Sequence, residues 1–431
     1  MSYLSHPGTR WLSRVIHRSP IIALTIGGFT LVGCKGILDV DLPGRIPSSQ
    51  VDDPALASVL VSSVIGDFEC AYNNYTVGSA AQGDEYENAN SNGGLSSLGT
   101  RSVTGDTDDY VVGGCEANTA GGSIAGLHVP LQTARFQAED IFRRMSGWSD
   151  DKASSKYVPN RKSFLATLRA YGGYPYLLMG ETFCSVAFSG GDKQVPKVAL
   201  DSAVKVFQEA IALAADPKDS VAKNLALVGL ARASMDLKDW PKAATAAAQV
   251  ASWFTINADR GNESDRRWNK IVYFATQLGG WTVADTFRTL NDPRALVMDS
   301  GHGAFNPFTR LWVTTKYSAL GDPIRLASYR EAQLILAEAR ARQNDVPGAM
   351  GIINARRTAL GLVSLTPATK EAAIAAIIQE RRWELSFEGG HRLNDLLREG
   401  IAWKLGSAEY TGQANGTTTC WPFPTKESNG A

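Results

Sequence analysis

The chain is poor in the side chains that carry metal and nucleophile chemistry. Five histidines are scattered over 431 residues: His6, His17, His128, His302 and His391. None stands at a His-x-x-x-His spacing, so a zinc site has no donor set. No phosphate-cradling glycine loop and no Gly-x-Ser-x-Gly elbow is present, which removes nucleotide chemistry and acyl transfer by that motif. The sequence therefore gives no reason to expect a metal or other cofactor. An excess of one charge is also missing. The 43 basic and 43 acidic residues balance, which argues against nucleic acid as a partner. After residue 33 no stretch approaches eighteen uninterrupted apolar residues, so the sequence predicts no second membrane crossing. Cysteine is scarce, at five residues, but its placement is informative.

Cys34 closes the string Leu31-Val32-Gly33-Cys34. Before it run mostly apolar residues from Ile21 to Gly33, and before those Arg10, Arg14, His17 and Arg18. A basic segment, a short apolar segment and a small residue at the cut describe a secretory signal. A helix of that length is too short to span a bilayer comfortably. A cysteine directly after the cut looks like a bacterial lipobox, with Cys34 becoming a lipidated first residue. Several acyl chains, at about 0.8 kcal/mol per buried methylene, hold a protein to a membrane stably. The other four cysteines, Cys70, Cys115, Cys184 and Cys420, form an even set in an exported chain and predict two disulfides with three possible connectivities. The spacing favours Cys70–Cys115 and Cys184–Cys420, since the first pair flanks one loop-rich segment. Four buried free thiols are the alternative.

The rest of the chain reads as mostly α. Residues 34–50 form a proline-containing tether, and a short helix is expected over 54–71. From Asn73 to Gly126, glycine, asparagine, serine and aspartate predominate, which predicts a long irregular segment with a short strand at Tyr110 to Val112. Helical spacing then dominates: 130–146 with 161–182, then 199–215, then 222–236 with 241–253 around a turn at Lys238-Asp239-Trp240-Pro241. Small residues such as Gly229, Ala233, Ala243 and Ala247 allow two antiparallel helices to approach closely. This resembles the tetratricopeptide repeat. A second copy runs from Arg325 to Leu360, with Asn344-Asp345 at its turn. A last long helix is expected over 368–388. Between the copies, residues 254–322 crowd aromatics among glycine, asparagine and proline, and read as loops, short helices and a few strands. The expected plan is a signal over 1–33, a tether over 34–50 and a domain over 51–431. That domain consists of tetratricopeptide-like helix–turn–helix units, with long irregular insertions at 72–128 and 254–322 and a few short strands.

Residues Ile378 to Glu399 read as a helix with charges at spacings of three and four, Glu380, Arg381, Glu384 and Glu388. It stops at Gly389-Gly390 and is followed by Arg392, Asp395 and Arg398. Opposite charges on neighbouring turns pair, so these seven are expected to be structural ion pairs rather than a catalytic carboxylate pair. This block resembles the C-terminal signature of the SusD/RagB family of surface lipoproteins. Cys34 with Pro43, Asp292-Pro293-Arg294, Lys316-Tyr317, Pro323-Ile324-Arg325, Glu331 with Ala337-Glu338-Ala339, and Glu427 near the end match that family in order. The chain departs from it at the doubled glycine and in lacking an acidic run over Lys35 to Asp39. The resemblance implies four tetratricopeptide-like units with the ligand site carried by irregular insertions. It implies a binding protein without catalysis, anchored to the outer membrane at the cell surface. Such a protein captures oligosaccharides or peptides and hands them to a SusC-like TonB-dependent β-barrel transporter. A tetratricopeptide scaffold lipoprotein facing the periplasm is the alternative.

Sugar binding uses flat aromatic faces against C–H patches, and planar amides or carboxylates for hydroxyls. Asp84, Glu85, Tyr86, Asn88 and Asn90 offer that mixture within the first insertion, where the resemblance puts a ligand-lining loop. Trp268, Trp281 and Trp312 are further platform candidates in the second. Asparagine-rich loops are often plain solvated turns, and tryptophans are more often core.

Overall fold

The structure, a computed structural model, describes residues 50–89, 97–107, 110–111, 113–115, 126–290, 292–403 and 414–428. The leader, Cys34 and nearly all of the tether lie outside them, as does Asn90. The described body belongs to one compact unit, Ser48–Ala431.

Its helices follow one another in space as in sequence. α1 is Ala57–Gln82, α2 His128–Ser146, α3 Arg161–Thr182, α4 Lys197–Leu213, α5 Ser220–Asp236 and α6 Trp240–Ala248. After the short α7, Asp285–Arg288, come α8, Tyr329–Arg342, α9, Val346–Ala359, α10, Lys370–Glu384, and α11, His391–Glu399; α12 is Thr425–Ser428. Each of α1 to α5 packs on the next, α6 bridges α5 to α8, and α8, α9 and α10 pack mutually before α11 closes back on α1 and α3. Sequential antiparallel packing of this kind is the repeat pattern read from the alanine spacing.

Two of the turns between paired helices have the same construction. Lys238 and Asn344 have positive φ, 60° and 70°. The next residues, Asp239 and Asp345, accept from the backbone N–H of Lys242 and Gly348, at 3.2 and 2.9 Å. Pro241 and Pro347 follow within the first turn. An aspartate N-cap followed by an early proline is the usual start of a helix. Close helix approach is equally specific. A Cβ on Gly173 of α3 or Gly229 of α5 would lie 2.4 or 2.2 Å from the Phe207 ring of α4, so the two glycines let this aromatic fill the space between three helices.

α1 departs from expectation. The short helix predicted for 54–71 runs on to Gln82, so the first eleven residues of the predicted irregular segment are helical. Asn73, Asn74, Thr76, Gly78 and Ser79 resemble loop residues because loops are where such side chains usually find partners. Here Thr76 and Ser79 donate back to the carbonyls of Tyr72 and Tyr75, at 2.8 and 2.6 Å. The amides reach outward. Asn73 donates to the Trp268 carbonyl (2.7 Å) and accepts from Lys270 N–H (3.0 Å), while Asn74 donates to Gly114 and Gly126 (3.0 and 2.8 Å). Gln82 donates to Thr419 O and accepts from Trp421 Nε1, at 2.8 and 2.7 Å. α1 is apolar enough to cross a membrane by length and composition, but these buried amides show it to be a core helix holding the inserted segments.

Other boundaries also shift. Tyr110 and Val111 are helical rather than extended. The helix expected to reach 388 stops at Glu384, and a turn with positive φ at Phe387, Gly389 and Gly390 leads into α11. The strands are short: β1 Tyr86–Asn88, β2 Thr255–Ala258, β3 Trp281–Val283, β4 Val297–Gly303, β5 Arg310–Thr314 and β6 Ile324–Ser328. They pair antiparallel as β1–β3, β2–β6 and β4–β5. Disulfides join Cys70 to Cys115 and Cys184 to Cys420.

Candidate ligand cleft

The charged block is a buried frame. Arg381 pairs with Asp395 at 3.1 Å, and Arg398 with Glu338 and Asp395 at 2.6 and 2.8 Å. Glu380 pairs with Arg294 and Arg357 (2.7 and 2.5 Å), Glu384 with Arg356 (2.8 Å) and Glu388 with Lys316 (3.0 Å). Deeper still, Arg232 of α5 holds Glu181 of α3 and donates to the Gly389 carbonyl at 2.7 Å. Each carboxylate of the block is held by cations, so Glu384 and Glu388 form no acid–base pair facing a cleft.

Where this frame meets the first insertion there is a cavity of about 320 Å³. The C-terminus of α1 supplies Gln82, the next turn Asp84, β1 Tyr86, Glu87 and Asn88, and α7 Asp285 and Arg288. The segment at Gly99 and Arg101 and the C-terminal Trp403 and Asn415 complete the lining. Asp84 has a left-handed backbone, φ 60°, which turns the chain sharply from α1 into β1. Its carboxylate accepts a bidentate pair from Arg392, at 2.9 and 3.0 Å, tying the cleft to the frame. Arg288 donates to the Val283 carbonyl at 2.8 Å and to Glu87 at 3.0 Å. Arg101 lies 5.2 Å above the Trp403 ring. Tyr86 is buried in the wall, and its hydroxyl has no hydrogen-bond partner among the described residues.

The sequence candidates divide. Asp84, Tyr86 and Asn88 line the cleft. Glu85, in the turn before β1, is not in the lining. It is 1% exposed and accepts from Phe387 N–H at 2.8 Å, and burial raises its carboxyl to about 7. It supports the cleft from beneath and is not a ligand contact. Trp281 is fully buried between Tyr86 and Phe274, so it is core and offers no platform. Trp268 stacks with Tyr273 at 5.1 Å and is not in the lining. Trp312 lies behind Arg288, 5.9 Å from its guanidinium, and acts on the cleft only through that arginine. Asn90 lies outside the described residues. The aromatic that does face the cleft, Trp403, was missed, with Arg101, Arg288 and Asn415. An isolated tryptophan just past the helix-ending Gly400 was its one signal. The cleft sets aromatic faces beside planar amides, carboxylates and guanidinium groups, the combination that grips hydroxyl-rich rings.

Comparison with known proteins bears on the fold. A sequence model of the SusD family matches residues 314–424. No curated protein matches the chain. Among solved structures it is similar to a SusD-like carbohydrate-binding protein from Bacteroides vulgatus ATCC 8482, with TM-score 0.61 and 16% identity, over 84% of this chain and 88% of that one. A laminarin-binding SusD-like protein matches with TM-score 0.64 and 14% identity, over 88% and 97%. A SusD superfamily protein from Bacteroides thetaiotaomicron VPI-5482 gives 0.63 and 14%, also over 88% and 97%. At these identities the structures establish the fold.

Proposed function

The chain belongs to the SusD/RagB family, and from that premise we propose that it captures oligosaccharides at the outer membrane and delivers them to a TonB-dependent barrel. The observation that carries the reading is the cleft: Trp403 beside Asp84, Glu87, Arg288 and Asn415, with Tyr86 and Asn88 buried in its wall, a set suited to hydroxyl-rich ligands. Its charges are compensated from within, Asp84 by Arg392 and Glu87 by Arg288, which favours ligands without a strong charge. The laminarin-binding relative points the same way.

The protein binds without catalysis in this reading, since the family is one of binding proteins and the paired carboxylates of the block are consumed by arginines and lysine. Lipid at Cys34 holds it to the membrane in this reading. Titration of the soluble body with neutral β-glucan and α-glucan oligosaccharides tests the cleft. Trp403→Ala should weaken binding about tenfold, the scale of one well-placed aromatic contact. Unchanged affinity in that variant, with the wild type binding, would move the site elsewhere. Co-purification with the barrel tests delivery; recovery with periplasmic assembly proteins alone would favour the scaffold alternative.

A further inference from the structure

A second groove lies away from the cleft, along α2. Two cavities of about 540 and 690 Å³ share Ser189 as common wall. One side is the face of α2 carrying Gln132, Arg135, Phe136 and Glu139. The other is the loop 187–193, folded back by Val186 and Gln194, which exchange backbone hydrogen bonds at 2.9 and 2.7 Å. Ser189 and Gly190, both at positive φ, make its tight tip. The loop is therefore a built wall.

Arg135 is the distinctive group here. It is 6% exposed, and its guanidinium sits over two rings, 5.2 Å from Phe188 and 5.8 Å from Tyr176. Its Nε donates to Gln132 at 2.9 Å, and Gln132 donates to the Ala187 carbonyl at 3.0 Å. The nearby carboxylates are taken: Glu139 by Arg169, at 2.9 Å, and Asp140 by Arg143 and Arg144, at 2.5 and 2.7 Å. No carboxylate lies within ion-pair distance of Arg135 among the described residues. A guanidinium backed by rings and without a counter-ion among the described residues is a ready partner for an anion, and its planar fork matches a carboxylate. Phe136, 55% exposed on the next position of α2, offers an open ring face beside it. Lys193 stands over Phe423 at 5.5 Å in the larger cavity, with Asp192 and Glu427, so that end is of mixed charge and the anchor is Arg135.

We propose that this groove binds an oligosaccharide bearing a carboxylate, with Arg135 taking the acid group, Phe136 a sugar face, and the larger cavity the neighbouring residues. The site is separate from the cleft and stands whether or not the cleft binds neutral glycan. Calorimetric titration of the intact soluble body with trigalacturonate, galactotriose and triglutamate tests it. Trigalacturonate should bind, more weakly as salt rises, and galactotriose should bind at least tenfold less tightly. Arg135→Gln should lower trigalacturonate affinity roughly tenfold. Arg135→Lys and the surface variant Phe136→Ala should lower it by smaller factors, and they serve if Arg135→Gln fails to fold. Trp403→Ala should leave it unchanged. No binding of trigalacturonate overturns the proposal, as does binding lost in Trp403→Ala but kept in the α2 variants. Triglutamate binding as tightly as trigalacturonate would assign the groove to acidic peptides instead and also overturn it. Failure of neutral glycans to bind the cleft would sink the cleft reading and leave this one standing.

Discussion

The charged frame and the ligand cleft are made of the same side chains and use them in opposite ways. In the frame, Arg232, Arg381 and Arg398 are almost wholly buried and pair with Glu181, Asp395 and Glu338. In the cleft, Arg101, Arg288 and Asn415 line open space. Buried charge fixes which packing is reached, since an unpaired partner is strongly penalised. A charge that borders open space can also meet a ligand there. The residues that carry the resemblance to the SusD/RagB pattern are thus chiefly those of the frame, while the candidate cleft is lined by segments attached to it.

The largest effect should come from breaking the frame. Arg232→Met leaves Glu181 buried without its cation and should cost about 3–5 kcal/mol, read as a lower urea midpoint. A loss under about 1 kcal/mol would show that the frame is not what holds the helices. The tryptophans sharpen the same contrast. Trp281→Ala opens a cavity in the core and should cost about 3–5 kcal/mol, whereas Trp403→Ala should cost well under that and act on glycan affinity. If Trp281→Ala left stability intact, its assignment to the core would fail.

Glu85 lies between the two regions, and its titration reports on the boundary. Burial raises its pKa from 4.5 to about 7, so the folded state holds its proton more tightly than the unfolded chain. Its contribution is full below pH 4.5 and is lost as pH rises through about 7, on the order of 3 kcal/mol in all. His128 works the other way: burial lowers it from 6.5 to about 4, so its contribution is present above pH 6.5 and lost as pH falls through about 4. Glu85→Gln should flatten the decline in melting temperature between pH 5 and 8 and leave the acid limb unchanged. An unaltered profile would mean that Glu85 ionises without cost.

The frame and the helix pairs were legible because both announce themselves by spacing. Alanines at 203, 210, 243 and 247 recur at helical period and are all buried. The two aspartate–proline turns recur at matching places, and Asp395 and Arg398 pair across one turn of α11, whereas Glu380, Glu384 and Glu388 find their cations on distant segments. The cleft was half legible. A loop-like composition located Asp84, Tyr86 and Asn88, but the bond that draws Glu85 under the cleft comes from Phe387, about three hundred residues away, and leaves no local trace. The second half of α1 was misread because its amides bond to distant segments, and no local pattern records a partner nearly two hundred residues away. Trp281 was misassigned because an aromatic in an insertion looks the same whether it faces solvent or β1. Trp403 reaches the cleft through the fold of the C-terminal tail, which leaves no periodic trace.

The smallest effect tests the joint itself. Asp84→Asn keeps the size of the side chain and removes the charge that Arg392 grips from the frame side. Asp84 is part exposed, so the cost in stability should be only about 1 kcal/mol. The effect on ligand should be separable from it. Asp84 sets the turn from α1 into β1, and a loosened turn lets β1 shift against β3 (Tyr86 faces Val283 there), blurring the wall of the cleft. Neutral-glycan affinity should then fall a few-fold, while trigalacturonate binding along α2 stays as in the wild type. Equal loss at both sites would show that the variant softens the whole body. Undiminished affinity for neutral glycan would show that the cleft keeps its shape without its bond to the frame, and the division of labour argued here would be too sharp.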